Sequence, residues 1–137
     1  MADVSLPLAG TWKVRALAVV NVAYAALLVA ASIVPPSTVQ IQSISDTASH
    51  GLAYGLQGVL LFALLVGRLA APGPAAVAAV AGATLFGAFT ESIQSVLATR
   101  SAEWHDLLAD ALGAGAGVAL GLVMHAVANR RSRGSAP

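Results

Sequence analysis

Four of the six acidic residues of this chain, Glu91, Glu103, Asp106 and Asp110, fall within one stretch, Glu91 to Gly121 (ESIQSVLATRSAEWHDLLADALGAGAGVALG), together with Arg100. Upstream, Asp46 and His50 stand one helical turn apart, with Tyr54 a turn further on. Carboxylates and an imidazole are the groups that move protons and ligate divalent metals. Asp46, His50, Glu91 and Asp106 are therefore candidates for acid–base catalysis. His50, Glu91 and Asp106 also offer the nitrogen and oxygen ligands that suit zinc or manganese. No HExxH pair and no nucleophile motif accompanies them, so no cofactor is predicted from a motif, and a divalent metal is the one these residue types would suit.

The setting makes these residues conspicuous. Both flanks of the stretch are almost purely apolar, and a charge at the centre of a bilayer costs about 3 kcal/mol or more, so such residues are rare and usually functional. The 137 residues are 58% hydrophobic and only 9% charged, with a mean hydropathy of +0.81, where a soluble domain is nearer a quarter charged. These values predict an all-α integral membrane protein in one domain, residues 1–137. The absence of cysteine excludes disulfide and thiol chemistry, and no basic run of the kind that binds nucleic acid is present.

Hydropathy and helix breakers predict four transmembrane helices, about 15–35, 44–67, 75–97 and 101–128, in a compact antiparallel bundle. Met1 to Thr11 reads as a short leader, and Trp12, Lys13 and Arg15 as interface anchors. Ala16 to Val34 carries no charge and is longer than the roughly 7–15 residues of a signal-peptide core, so it reads as a retained helix. Pro35-Pro36 ends it. Ser37 to Ser45 is a polar loop, and Ser43 with Asp46 has the spacing of a capping box. Ala71-Pro72-Gly73-Pro74 reads as a tight turn and Thr99 to Ala102 as a second short loop. Lys13, Arg15, Arg68, Arg130, Arg131 and Arg133 then fall on one side and only Arg100 on the other. The positive-inside rule places both termini in the cytoplasm of a bacterial inner membrane.

At 100° per residue, Asp46, His50 and Gln57 lie within about 40° of one another with Tyr54 beside them. On the third predicted helix Thr84, Gly87, Glu91 and Ser95 share a face bordered by Gln94. On the fourth, Asp106, Asp110, Gly113, Gly117 and Gly121 fall in an arc of about 80°. Polar groups in hydrocarbon need partners inside the bundle, so the three stripes are expected to converge on a polar cavity at the outward end. Its binding residues would be Asp46, His50, Tyr54, Glu91, Gln94, Arg100, Asp106 and Asp110, with Arg100 at the rim in reach of Glu91, Asp106 or Asp110. Simpler roles exist for several of them. Asp46 could cap its helix, and Glu103 and Asp106 suit the positive end of a helix dipole. His125 reads as an interior histidine and Trp104 as an interface anchor. The Gly113, Gly117 and Gly121 ladder reads as close helix packing against Gly51, Gly55 and Gly58, with a homodimer through the ladder as the alternative.

In these residues the chain resembles the VanZ-like family of small bacterial membrane proteins. The resemblance lies in Asp46 and His50 followed by Tyr54, in Glu91 and Gln94 before Arg100, and in Asp106 and Asp110 followed by Gly113 and Gly117. It covers the second to fourth predicted helices. Thr47 stands where the family often has lysine, and Asp110 where it usually has asparagine, which makes this site more negative. The family's named member is associated with low-level resistance to the glycopeptide antibiotic teicoplanin, so the resemblance implies a role at the cell envelope.

Three kinds of function fit these residues: an envelope protein binding a membrane lipid or lipid-linked component, a membrane enzyme using the carboxylate and histidine cluster, and a small proton-coupled transporter. For the transporter, no inverted repeat is evident. The outward cluster sets Asp46, Glu91, Glu103, Asp106 and Asp110 against Arg100, an excess of four negative charges. Such a site repels a bare pyrophosphate and calls for a bridging cation, bound protons or a cationic ligand.

Overall fold

The computed structural model describes residues 8–34, 45–97 and 103–134. They form four helices: α1 (Leu8–Ile33), α2 (Asp46–Leu69), α3 (Pro72–Leu97) and α4 (Trp104–Gly134). All four are long and apolar enough to cross a membrane. Even the shortest, 24 residues, rises about 36 Å at 1.5 Å per residue, against a hydrocarbon core of about 30 Å.

The helix ends differ from the sequence reading for identifiable reasons. Helix α1 begins at Leu8, so Leu8–Thr11 is helix and not leader, and α4 continues through Arg130, Arg131 and Arg133 to Gly134. Hydropathy locates where hydrocarbon would end. A helix satisfies its own backbone and can run past that point without a change in hydrogen bonding. Helix α2 is capped by Ser45, whose Oγ accepts from the Ala48 N–H at 3.2 Å, in place of the Ser43–Asp46 capping box. Helix α3 begins at Pro72, not near Ala75. Pro72 and Pro74 both lie in its first turn, where the missing N–H groups have no intrahelical partner to lose. The connection shrinks to Ala70, left-handed at φ 50°, and Ala71. Pro35-Pro36, Ser43 and most of the two expected loops, with Arg100, lie outside the described residues.

Helices α2 and α4 pack more closely than any other pair, and glycine is the reason. A Cβ added to Gly113 would overlap the Gly51 carbonyl, and one added to Gly117 the Gly55 carbonyl. The paired positions advance together along both helices, so α2 and α4 run in the same direction. A simple antiparallel bundle would place the second and fourth helices across a diagonal, whereas here they form the central contact. Helix α3 packs against both of them. Along one strip it buries Ala75, Ala79, Ala83, Gly87, Thr90, Glu91 and Gln94. Helix α1 touches α2 and α3 but not α4 among the described residues. It is held partly by polar bonds: the buried Asn21 donates to the Leu60 carbonyl at 3.0 Å and Tyr24 to the Ala53 carbonyl at 3.0 Å. One half of the molecule is an apolar core of Phe62, Ala75, Ala79 and Val118. The other half buries the charged residues.

Candidate functional site

The small interface residues of α2 and α4 set the relative register of the two helices, and that register brings their polar residues together. Just ahead of the Gly51–Gly113 crossing, His50 Nδ1 lies 2.9 Å from Asp110 Oδ1. One turn earlier on each helix, Thr47 Oγ1 donates to Asp106 Oδ1 at 2.9 Å. With Asp110 ionised, Nδ1–H is the donor to its carboxylate, which fixes the imidazole tautomer as carboxylate partners of histidine commonly do.

Helix α3 closes the group from the third side. Glu91 Oε1 lies 3.7 Å from His50 Nδ1, an ion-pair distance too long for a hydrogen bond. A turn below, Tyr54 and Thr90 share a hydrogen bond between their hydroxyls, and Thr90 also donates to the Gly87 carbonyl at 2.9 Å. The imidazole of His50 stacks near the Tyr54 ring, with centroids 6.4 Å apart. Gly87 has a specific steric role, because an added Cβ would meet the Asp110 carboxylate, 3.1 Å from its Cγ. Glycine at position 87 is what leaves room for a wholly buried aspartate between α3 and α4.

The cluster is buried. Asp110 is 0% exposed, Asp106 6% and Glu91 7%. Among the described residues the polar groups lie within hydrogen-bond or ion-pair distance of one another. Their hydrogen bonding is incomplete. Neither carboxylate oxygen of Glu91, nor Asp110 Oδ2, has a hydrogen-bond partner among the described residues. The backbone of Glu103 lies near Glu91 without reaching hydrogen-bond geometry. A buried carboxylate lacking partners costs several kcal/mol if it is charged, so it takes up a proton or a cation.

The structure groups the expected metal candidates differently. His50, Glu91 and Asp110 bring their ligand atoms within 4.8 Å of one another, while Asp106 groups with Asp46 and His50. Asp110 replaces Asp106 beside Glu91 because it lies one turn further along α4, level with His50. Of the remaining binding candidates, Gln94 is buried and Asp46 partly buried, and Arg100 lies outside the described residues. Ser95 is exposed and Thr84 only half-buried. Measured from Gly87 at 100° per residue, Thr90 and Glu91 flank the buried face at about −60° and +40°, while Ser95 lies near +80°. Thr90 and the contact made by Thr47 went unread in the sequence. A threonine three residues beyond a helix glycine carries no signal until a partner hydroxyl is placed against it. His125 sits in the other half, edge-on to Phe62 and hydrogen-bonded with Asn129 at 3.0 Å.

Comparison of the chain with protein-family models, with curated proteins and with solved structures finds no match. The functional reading therefore rests on the geometry of these residues.

Proposed function

We propose that this chain is a multi-pass protein of a bacterial inner membrane, resembling the VanZ-like family, whose polar end binds a membrane lipid or lipid-linked component of the cell envelope. The observation that carries this reading is the separation of charge along the helices. The acidic cluster around His50 and Asp110 occupies one end. Val14 packs near Gly67, and Phe62 packs on His125, so Lys13, Arg15, Arg68, Arg130, Arg131 and Arg133 gather toward the other. Asp110 and Arg130 lie on one helix, about 30 Å apart along its axis, which is the thickness of the hydrocarbon core. A membrane slab fits between the two ends. The basic end then faces the cytoplasm with both termini, consecutive helices cross in opposite directions, and the acidic end faces outward. A buried cluster at the outer boundary suits a ligand that arrives through the lipid, with its head at the interface and its tail in hydrocarbon.

The test is native mass spectrometry of the protein purified from bacterial membranes, with and without added polyprenyl-pyrophosphate-linked sugar, in the presence of a divalent cation to bridge the pyrophosphate to the carboxylates. Specific one-to-one retention of that lipid, weakened by His50→Ala, is the expected result. Lipid retention that is neither one-to-one nor weakened by His50→Ala, with the precursor in excess, overturns the reading. A link to glycopeptide resistance would show as altered teicoplanin susceptibility on overexpression.

A further inference from the structure

We infer that His50, Glu91 and Asp110 form a binding site for one divalent metal ion, with Zn²⁺ as the ion best matched. The inference stands on these three side chains and does not depend on the lipid-binding reading. Ligands about 2.0–2.1 Å from a tetrahedral zinc ion lie about 3.3 Å from one another. His50 Nδ1 is 2.9 Å from Asp110 Oδ1 and 3.7 Å from Glu91 Oε1, so these two spacings bracket that value, and all three ligand atoms lie within 4.8 Å of one another. The ligand set, one imidazole nitrogen and two carboxylate oxygens, is hard to borderline and suits zinc or manganese.

The second observation is independent of spacing. Glu91 is 7% exposed, and neither of its oxygens has a hydrogen-bond partner among the described residues, although Oε1 is directed at His50. Among the described residues no lysine or arginine pairs with this glutamate, and the point between it, His50 Nδ1 and Asp110 Oδ1 is where a cation would be held. The ion would take the place of the proton that bridges His50 and Asp110. Two carboxylates and a neutral imidazole around a doubly charged ion make an electrically neutral unit, the form that low-dielectric surroundings tolerate best. Three protein ligands leave a fourth position open. The other triad, Asp46, His50 and Asp106, is less suited because Asp46 is only partly buried and no oxygen of Asp46 or Asp106 is among the buried atoms without a hydrogen-bond partner.

The experiment uses the full chain purified in detergent, stripped with chelator and titrated with Zn²⁺ alone. Calorimetry should show one site per chain, thermal unfolding should rise with added Zn²⁺, and Co²⁺ in its place should give the visible absorption of a tetrahedral centre. Glu91→Gln and Asp110→Asn preserve shape and should each lower Zn²⁺ affinity by roughly 100-fold or more, since losing a second-shell partner alone costs about 10–100-fold. Asp46→Asn should bind as the parent does. Because the variants could misfold, the parent decides first: no stoichiometric Zn²⁺ and no thermal shift overturn the site. Loss of binding in Asp46→Asn with retention in Glu91→Gln overturns it in favour of the other triad. Zn²⁺ binding equal in the parent and in both Glu91→Gln and Asp110→Asn overturns it as well.

Discussion

Replacing Gly117 tests the packing on which the site depends. A Cβ built there lies 2.8 Å from the Gly55 carbonyl carbon and 3.1 Å from its Cα, and overlaps the carbonyl oxygen outright. Unstrained carbon contacts lie near 3.5–4.0 Å, so the two backbones must part by roughly 1 Å, a gap that forfeits a quarter to a half of the dispersion energy of the atoms it separates. Between helices in lipid that dispersion energy is the main adhesive force. Overpacking of this kind costs about 1–3 kcal/mol, offset by the roughly 1 kcal/mol by which alanine is the better helix former. Gly115 supplies the control. It lies on the same helix, and an added Cβ there meets nothing within 4 Å, so Gly115→Ala keeps the gain alone. The difference in stability between Gly115→Ala and Gly117→Ala should therefore be about 1–3 kcal/mol, and Gly117→Leu should lose more. The assay is unfolding of purified protein in mixed micelles of rising denaturing-detergent fraction, followed by circular dichroism. A Gly117→Leu variant as stable and as well expressed as the parent would refute the close α2–α4 contact, and with it the register that sets His50 against Asp110.

Tyr54→Phe removes a hydroxyl whose partner, Thr90, keeps its bond to the Gly87 carbonyl; no buried group is orphaned, and the loss should be about 1 kcal/mol in the same unfolding assay. A loss as large as that of Tyr54→Ala would show that the hydroxyl pair does more than join α2 to α3. For topology, a cytoplasm-active reporter fused after Arg131 should be active and an export-dependent one silent, with the reverse for insertions between residues 37 and 44. A C-terminal fusion active only outside would move the acidic end to the cytoplasmic side.

The four helices and the three polar stripes were legible in the linear chain, because both depend on local quantities. Hydropathy over about 20 residues reports whether a segment can enter hydrocarbon, and the 100° step reports which side chains share a face. Those two rules already singled out Asp46, His50, Glu91, Asp106 and Asp110. Helix ends were less legible: Ser45 and Ser43 are both plausible caps, and Pro72 serves equally in a turn or in a first helical turn. Tertiary structure alone decided which carboxylate meets which partner. Asp106 and Asp110 lie on one face a single turn apart, and only the axial register of α4 against α2 chooses between them. That register comes from backbone contact at Gly51, Gly55, Gly113 and Gly117, a long-range event between segments about 60 residues apart. The same contact brings the polar residues of the two helices within hydrogen-bond distance of one another, because glycine lets the backbones approach closely.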